Sequence, residues 1–239
     1  MAKIIRHFCF WAAAAWFATG GAVLGTETVQ SHYDVRLIGA KVGEMVMAST
    51  ETSSQYSTRA RFRTTGAFST LSQASFDISA TGRRTGDRFV PTTYREVTSE
   101  GRHSTNVKIA YRSGIATHIS GETGGRVPPV DPKKMRGALD PLTVLYAALR
   151  RQPMSGACSL DADVFDGQRH ARLTLTARQD VQDNVECHGS YKRIAGYSSP
   201  SKMNTSVPIS VLYTREFDEL VAQRITVRTR YGKVTLHRR

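Results

Sequence analysis

Gln73-Ala74-Ser75-Phe76-Asp77-Ile78-Ser79-Ala80 sets apolar Ala74, Phe76, Ile78 and Ala80 at every second position, against polar Gln73, Ser75, Asp77 and Ser79. Successive side chains of a strand point to opposite faces, so this period of two reads as a half-buried strand of an antiparallel sheet. The same alternation recurs at Tyr33, Val35 and Leu37, at Val107, Ile109 and Tyr111, at Ala171, Leu173, Leu175 and Ala177, and at Ile225, Val227 and Tyr231. Gly39, Gly82, Gly86, Gly101, Gly114, Gly167 and Gly232 punctuate these runs and are read as turns. The spacing predicts about ten to twelve strands and an all-β, mainly antiparallel fold.

One segment departs from that rhythm. Asp140-Pro141-Leu142-Thr143-Val144-Leu145-Tyr146-Ala147-Ala148-Leu149 supplies a capping aspartate, a proline at the first helical position and apolar residues at helical spacing. It predicts one short helix near residues 140–149. Upstream, the seventeen residues 121–137 hold Gly124-Gly125, Pro128-Pro129 and Pro132, the composition of a long surface connection. A tether is its plainer use and a functional lid the other.

The 239 residues suit one large all-β domain or two small ones, and 40% hydrophobic with 22% charged residues is the balance of a packed chain, not a disordered one. Lys3, Arg6 and His7 precede an apolar run from Phe8 to Ala18, followed by Gly20, Gly21 and Ala22 and then Val23-Leu24-Gly25 ahead of polar Thr26-Glu27. These are the parts of a secretory signal peptide over residues 1–25, with cleavage expected after Gly25. Eleven apolar residues are few for a spanning helix, so a retained N-terminal anchor is the lesser alternative. The expectation is a periplasmic chain, soluble after cleavage, with a single antiparallel β domain over 26–239.

Cleavage would remove Cys9, Trp11 and Trp16 and leave Cys158 and Cys187. An even count in an exported chain reads as one disulfide, the alternative being two unpaired buried thiols. No C-x-x-C pair supports a redox-active thiol.

Three stretches carry a resemblance. Arg136-Gly137-Ala138-Leu139-Asp140-Pro141-Leu142 comes first, and Cys158 followed by Val164-Phe165-Asp166-Gly167-Gln168-Arg169 comes second. The third is Cys187-His188-Gly189-Ser190-Tyr191-Lys192-Arg193-Ile194-Ala195-Gly196-Tyr197. In order and spacing they resemble the domain-of-unknown-function 3108 family of exported bacterial envelope proteins, and Tyr33-Asp34-Val35 with Ala40-Lys41-Val42-Gly43 resembles its opening strands. The resemblance implies a strongly curved antiparallel sheet, a partial barrel or spiral, with no established activity.

Catalytic and metal motifs fail on residue detail. Asp161-Ala162-Asp163-Val164-Phe165-Asp166-Gly167 crowds carboxylates like a calcium loop, but Phe165 stands at position five and Arg172 at position twelve, where oxygen ligands are needed. A strand end and an Asp-Gly turn is the reading preferred. His32, His103, His118, His170, His188 and His237 form no zinc-binding pair, so no metal or cofactor is expected. If Arg112-Ser113-Gly114-Ile115 is a two-residue hairpin, His118 falls opposite Ile109. Gly196-Tyr197-Ser198-Ser199-Pro200 has proline where a nucleophile elbow needs its closing glycine.

The basic excess remains, 33 Lys and Arg against 20 acidic residues, of which 25 are arginine, or 31 against 20 and a net +11 after cleavage. Arginine suits bidentate contact with carboxylate or phosphate. Arg59, Arg61 and Arg63 share one strand face, with Ala60 and Phe62 on the other, and Arg228 and Arg230 repeat the arrangement beside Ile225 and Val227. These five are the candidate anion-binding residues. Solvated charge guarding an outer sheet face is the plainer explanation. The favoured function is a non-enzymatic binding module whose concave apolar face holds a lipid or other amphipathic anionic envelope component. The alternative is a basic scaffold docking on an acidic envelope protein, and a third is an enzyme with a site assembled from distant residues. Nucleic acid is not an expected partner of an exported chain.

Overall fold

The structure, a computed structural model, describes residues 27–71, 73–101, 103–122, 127–198, 205–229 and 232–239. The expected signal peptide lies outside the described residues, as do Arg230, Tyr231, Gly124-Gly125 and Ser199-Pro200.

Alternating sequence and tight turns build a chain of hairpins. β1 (Thr28–Leu37), β2 (Ala40–Glu51), β3 (Gln55–Thr64), β4 (Ala74–Thr85), β5 (Arg88–Glu100), β6 (His103–Arg112) and β7 (Ile115–Glu122) form one half. β9 (Leu160–Phe165), β10 (His170–Val181), β11 (Asn184–Ala195), β12 (Ser206–Glu216), β13 (Glu219–Thr229) and β14 (Gly232–Arg238) form the other, and the two-residue β8 (Gln152–Pro153) pairs with β13. All belong to one antiparallel sheet of order β7-β6-β5-β4-β3-β2-β1-β14-β13-β12-β11-β10-β9. Within the sheet, among the described residues, the β1–β14 pair joins the two halves, with Tyr33 opposite Arg238 and Leu37 opposite Val234. It places both ends of the sheet-forming chain at the centre and leaves β7 and β9 as edges.

The fourteen strands among the described residues exceed the ten to twelve expected. The ladder continues through exposed, polar stretches such as Arg178–Val181, where no apolar alternation marks a strand. A second helix, α1 (Ala67–Leu71), is five residues long, too short to show a helical period. Gly82 lies inside β4 at a register shift and not in a turn; a Cβ there would sit 2.5 Å from the Tyr56 ring.

The expected helix is α2 (Pro141–Leu149). Asp140 Oδ1 accepts the Thr143 N–H at 2.8 Å, and Oδ2 accepts the Thr143 hydroxyl at 2.6 Å. Leu142, Val144, Tyr146 and Leu149 are buried, each contributing about 1.5 to 3 kcal/mol for removal from water. The Tyr213 hydroxyl donates to Ala148 O at 2.7 Å and that of Tyr146 to Glu51 Oε2 at 2.5 Å. The helix meets β3, β4 and β5 from one half and β9 and β13 from the other. The sheet therefore curls around its own helix as a barrel that does not close.

Unpaired edges need partners for their backbone groups, and the segment before α2 supplies two of them on β9 and hydrogen-bonds the turns next to both edges. Gly137 N–H donates to Gly114 O at 2.7 Å in the β6–β7 turn, while Leu139 N–H donates to Asp163 O and Phe165 N–H to Leu139 O, both at 2.9 Å. Val130 N–H donates to Gln168 O at 2.9 Å, and Pro132–Met135 forms a 3-10 turn. The 121–137 connection is thus no loose tether in its described part: its first two residues belong to β7 and residues 127–137 are pinned between the edges.

The β6–β7 hairpin pairs Arg112 with Ile115 as expected, but a bulge after Ala110 places His118 opposite Ala110 and Ile119 opposite Ile109. One extra residue on the bulged strand shifts every later pair by one. Cys158 and Cys187 are bonded, with Cα atoms 5.1 Å apart, tying the approach to β9 onto β11. Among the described residues no helix is long and apolar enough to cross a membrane.

Candidate functional site: basic grooves on the outer face

The concave side offers little room. α2 fills it, so the expected concave apolar binding face is occupied by the protein's own Leu142, Val144 and Tyr146. A recess of about 440 Å³ beside the end of α2, floored by Tyr33, Met47 and Leu149, is rimmed by arginines. Those charges are largely spent: Arg84 meets Glu51 at 2.6 Å, Arg150 meets Asp87 at 2.5 Å and Arg151 meets Glu216 at 2.7 Å.

The outer face differs. β3 turns Tyr56, Thr58 and Ala60 inward and Arg59, Arg61 and Arg63 outward, as its alternation requires. The three arginines line a groove of about 670 Å³ with the outward-facing Val46, Ala48 and Val97. On the opposite, inner face of the same strands Phe62 and Phe76 stack with centroids 5.2 Å apart and pack against the core. Arg59 Nε and Nη2 reach Asp77 Oδ1 and Oδ2 at 2.8 and 2.5 Å, and Arg61 Nε reaches Oδ2 at 3.2 Å. The Arg59 guanidinium in turn holds the Asp77 carboxyl below the usual carboxylate range. Arg63 is 76% exposed and only 3.9 Å from Glu44, a carboxylate that Lys41 already holds at 2.8 Å. Exposed ion pairs contribute about 0 to 1 kcal/mol, so an incoming anion displaces them at small cost.

Arg228 lies elsewhere on the same outer face, in a recess of about 510 Å³ spanning β11 to β14 and β1. The four candidate arginines among the described residues therefore fall into two sites, separated by an ion network in which Lys41 and Arg239 bridge Asp34 and Glu44. The second site also holds Arg36, Arg224, Lys233, His188 and His237, which sequence reading missed. Same-parity Arg224 and Arg228 were a usable signal; His237 joins them through the β13–β14 register, and Arg36 only through the β1–β14 pairing. Burial, and next the Arg224 charge, hold the His237 imidazole below its ordinary range.

The carboxylates of the Asp161–Gly167 stretch have structural partners. Arg172 holds Asp161 through two contacts of 2.8 Å, Asp163 lies 2.9 Å from His170, and Asp166 Oδ1 accepts the N–H groups of Gln168 and Arg169 in the turn. Arg172, at the twelfth position of the apparent calcium loop, thus neutralises its first carboxylate. Among the described residues no group of three His, Cys, Asp or Glu side chains is placed to hold a metal ion.

Fold and site together define an open, barrel-like antiparallel β protein with a helix at its centre and basic sites outside. The chain belongs to the family described as Protein of unknown function (DUF3108), whose model matches residues 32–237. It is also similar to a solved Brucella abortus structure titled a beta-barrel-like protein of domain of unknown function DUF1849, at 12% identity and a TM-score of 0.45 over 90% of this chain and 95% of that one. No curated protein matches the sequence.

Proposed function

We propose that this is an exported, periplasmic, non-enzymatic binding protein that takes an amphipathic envelope anion in the Arg59–Arg63 groove. One observation carries the reading: three exposed arginines and the outward-facing side chains of Val46, Ala48 and Val97 line the same 670 Å³ groove. Val46, Ala48 and Val97 lie under the apolar part of a ligand, while Arg61 and Arg63 meet its phosphate or carboxylate head. The disulfide agrees with an oxidising compartment.

Native mass spectrometry and titration with dodecyl phosphate test this. A one-to-one adduct is expected, with dodecanol binding far more weakly. Arg59→Gln, Arg61→Gln and Arg63→Gln together should weaken binding about tenfold or more, since hydrogen bonds to charged groups contribute about 1.5 to 3 kcal/mol each. The melting temperature should hardly move, because the pairs lost are exposed. Unchanged affinity in the triple variant would reduce the ladder to surface charge. Salt-sensitive binding of an acidic protein, with no amphiphile bound, would favour the basic-scaffold reading instead.

A further inference from the structure

We propose that the recess across β1, β14, β13, β12 and β11 is a second site, for an oxyanion of the phosphate class. The inference is independent of the groove on β3. Register alone lays out its geometry. Arg36 faces Thr235, Thr235 faces Thr226, Thr226 faces Ser210 and Ser210 faces His188, one continuous row over five strands. Beside that row Lys233 faces Arg228, and on its other side His237 faces Arg224. Facing residues in an antiparallel pair lie about 4.5 to 5.5 Å apart at Cα. Three hydroxyl residues therefore occupy the middle, with basic side chains at both ends and along both flanks.

The charges are not balanced from within. Glu186 is the carboxylate in the lining, and it accepts the Ser210 hydroxyl at 2.9 Å. Among the described residues no carboxylate lies within ion-pair distance of Arg224, Arg228 or Lys233. Arg36 reaches Asp34 only at 3.8 Å, where Lys41 and Arg239 already sit at 2.9 and 3.3 Å, and its Nε is buried without a partner. Like charges placed directly opposite destabilise a sheet, and Arg228 against Lys233 is such a pair. Burial is the first cause that lowers the His237 imidazole, and the nearby Arg224, Arg36 and Lys233 charges act in the same direction. An anion in the recess would relieve that repulsion and accept hydrogen bonds from guanidinium and hydroxyl groups together. Groups that bind only the folded state also raise its stability.

Inorganic pyrophosphate is the probe, with ionic strength held constant by sodium chloride, read by thermal melting and calorimetric titration. Pyrophosphate should raise the melting temperature of the unaltered protein while chloride at equal ionic strength does not. Arg228→Gln with Lys233→Gln should melt no lower than the unaltered protein without ligand, and should bind pyrophosphate at least tenfold more weakly. The Arg59, Arg61 and Arg63 variant should keep the full response, which separates failure of this site from failure of the groove. Phosphatidylglycerol vesicles in a phosphatidylcholine background form the second arm. Sedimentation with them that pyrophosphate displaces, and that the double variant loses, identifies a lipid headgroup as the source; pyrophosphate binding without vesicle binding identifies a free phosphate compound. An equal pyrophosphate response in the double variant, or no response of the unaltered protein to either probe, overturns the proposal.

Discussion

Replacing Cys158 and Cys187 together by alanine is expected to lower the unfolding free energy by about 3 to 4 kcal/mol, the chain-entropy value for a loop of this size. The bridge spans 29 residues, a separation that includes β9 and β10. Cutting it frees the unfolded chain and lets the approach to β9 leave β11. For a chain of this length the melting temperature should fall by about 6 to 16 °C. Denaturant unfolding of the oxidised protein, the reduced protein and the double variant provides the check. The last two should coincide, below the first. Alanine suits the test because Cys187 is fully buried, and a serine hydroxyl there would add its own desolvation cost. A double variant as stable as the oxidised protein would show that the bridge contributes nothing.

Asp140→Asn is expected to stabilise the protein at neutral pH by up to about 3 kcal/mol, the equivalent of the carboxyl's displacement from its unfolded value. Asp140 is completely buried at the start of α2, and burial pushes its carboxyl up from 3.8 to about 6. Between those two values the folded protein binds more protons than the unfolded chain, so stability falls as pH rises through the window. Below pH 4 the neutral acid costs nothing of this kind, and above pH 6 the buried charge carries its full cost. Asparagine keeps an acceptor for the Thr143 N–H and is an equally good cap. It can also donate to Thr143 Oγ1, which lies 2.8 Å from the Tyr56 hydroxyl. Unfolding free energies of both proteins from pH 3.5 to 7 should therefore diverge across the window. Parallel curves would mean that the Thr143 hydrogen bonds already offset the burial of the charge.

Much of the fold was legible because its signals are local. Alternation at Ala74, Phe76, Ile78 and Ala80 marked β4, and Asp140-Pro141 marked the start of α2 within one residue. The bridge was readable from cysteine count and compartment. Missed features lack a local signal: α1 is too short to show a period, and the exposed half of β10 carries no apolar alternation. His118 was displaced by a bulge, a choice made by packing across two strands.

The candidate sites divide on the same line. By itself the sequence determined that Arg59, Arg61 and Arg63 leave the strand on one side, since that follows from the pleat and needs no knowledge of neighbours. Tertiary structure alone decided what stands beside them. Asp77 reaches Arg59 through the β3–β4 register, and Arg36 meets the β13 arginines because β1 pairs with β14, some 200 residues away in the chain. It also decided that the hollow of the sheet goes to α2 and not to a ligand. The physical reason is range: backbone geometry orients a side chain from its immediate neighbours, whereas a binding site is a sum over strands whose pairing is set by burial of the whole core.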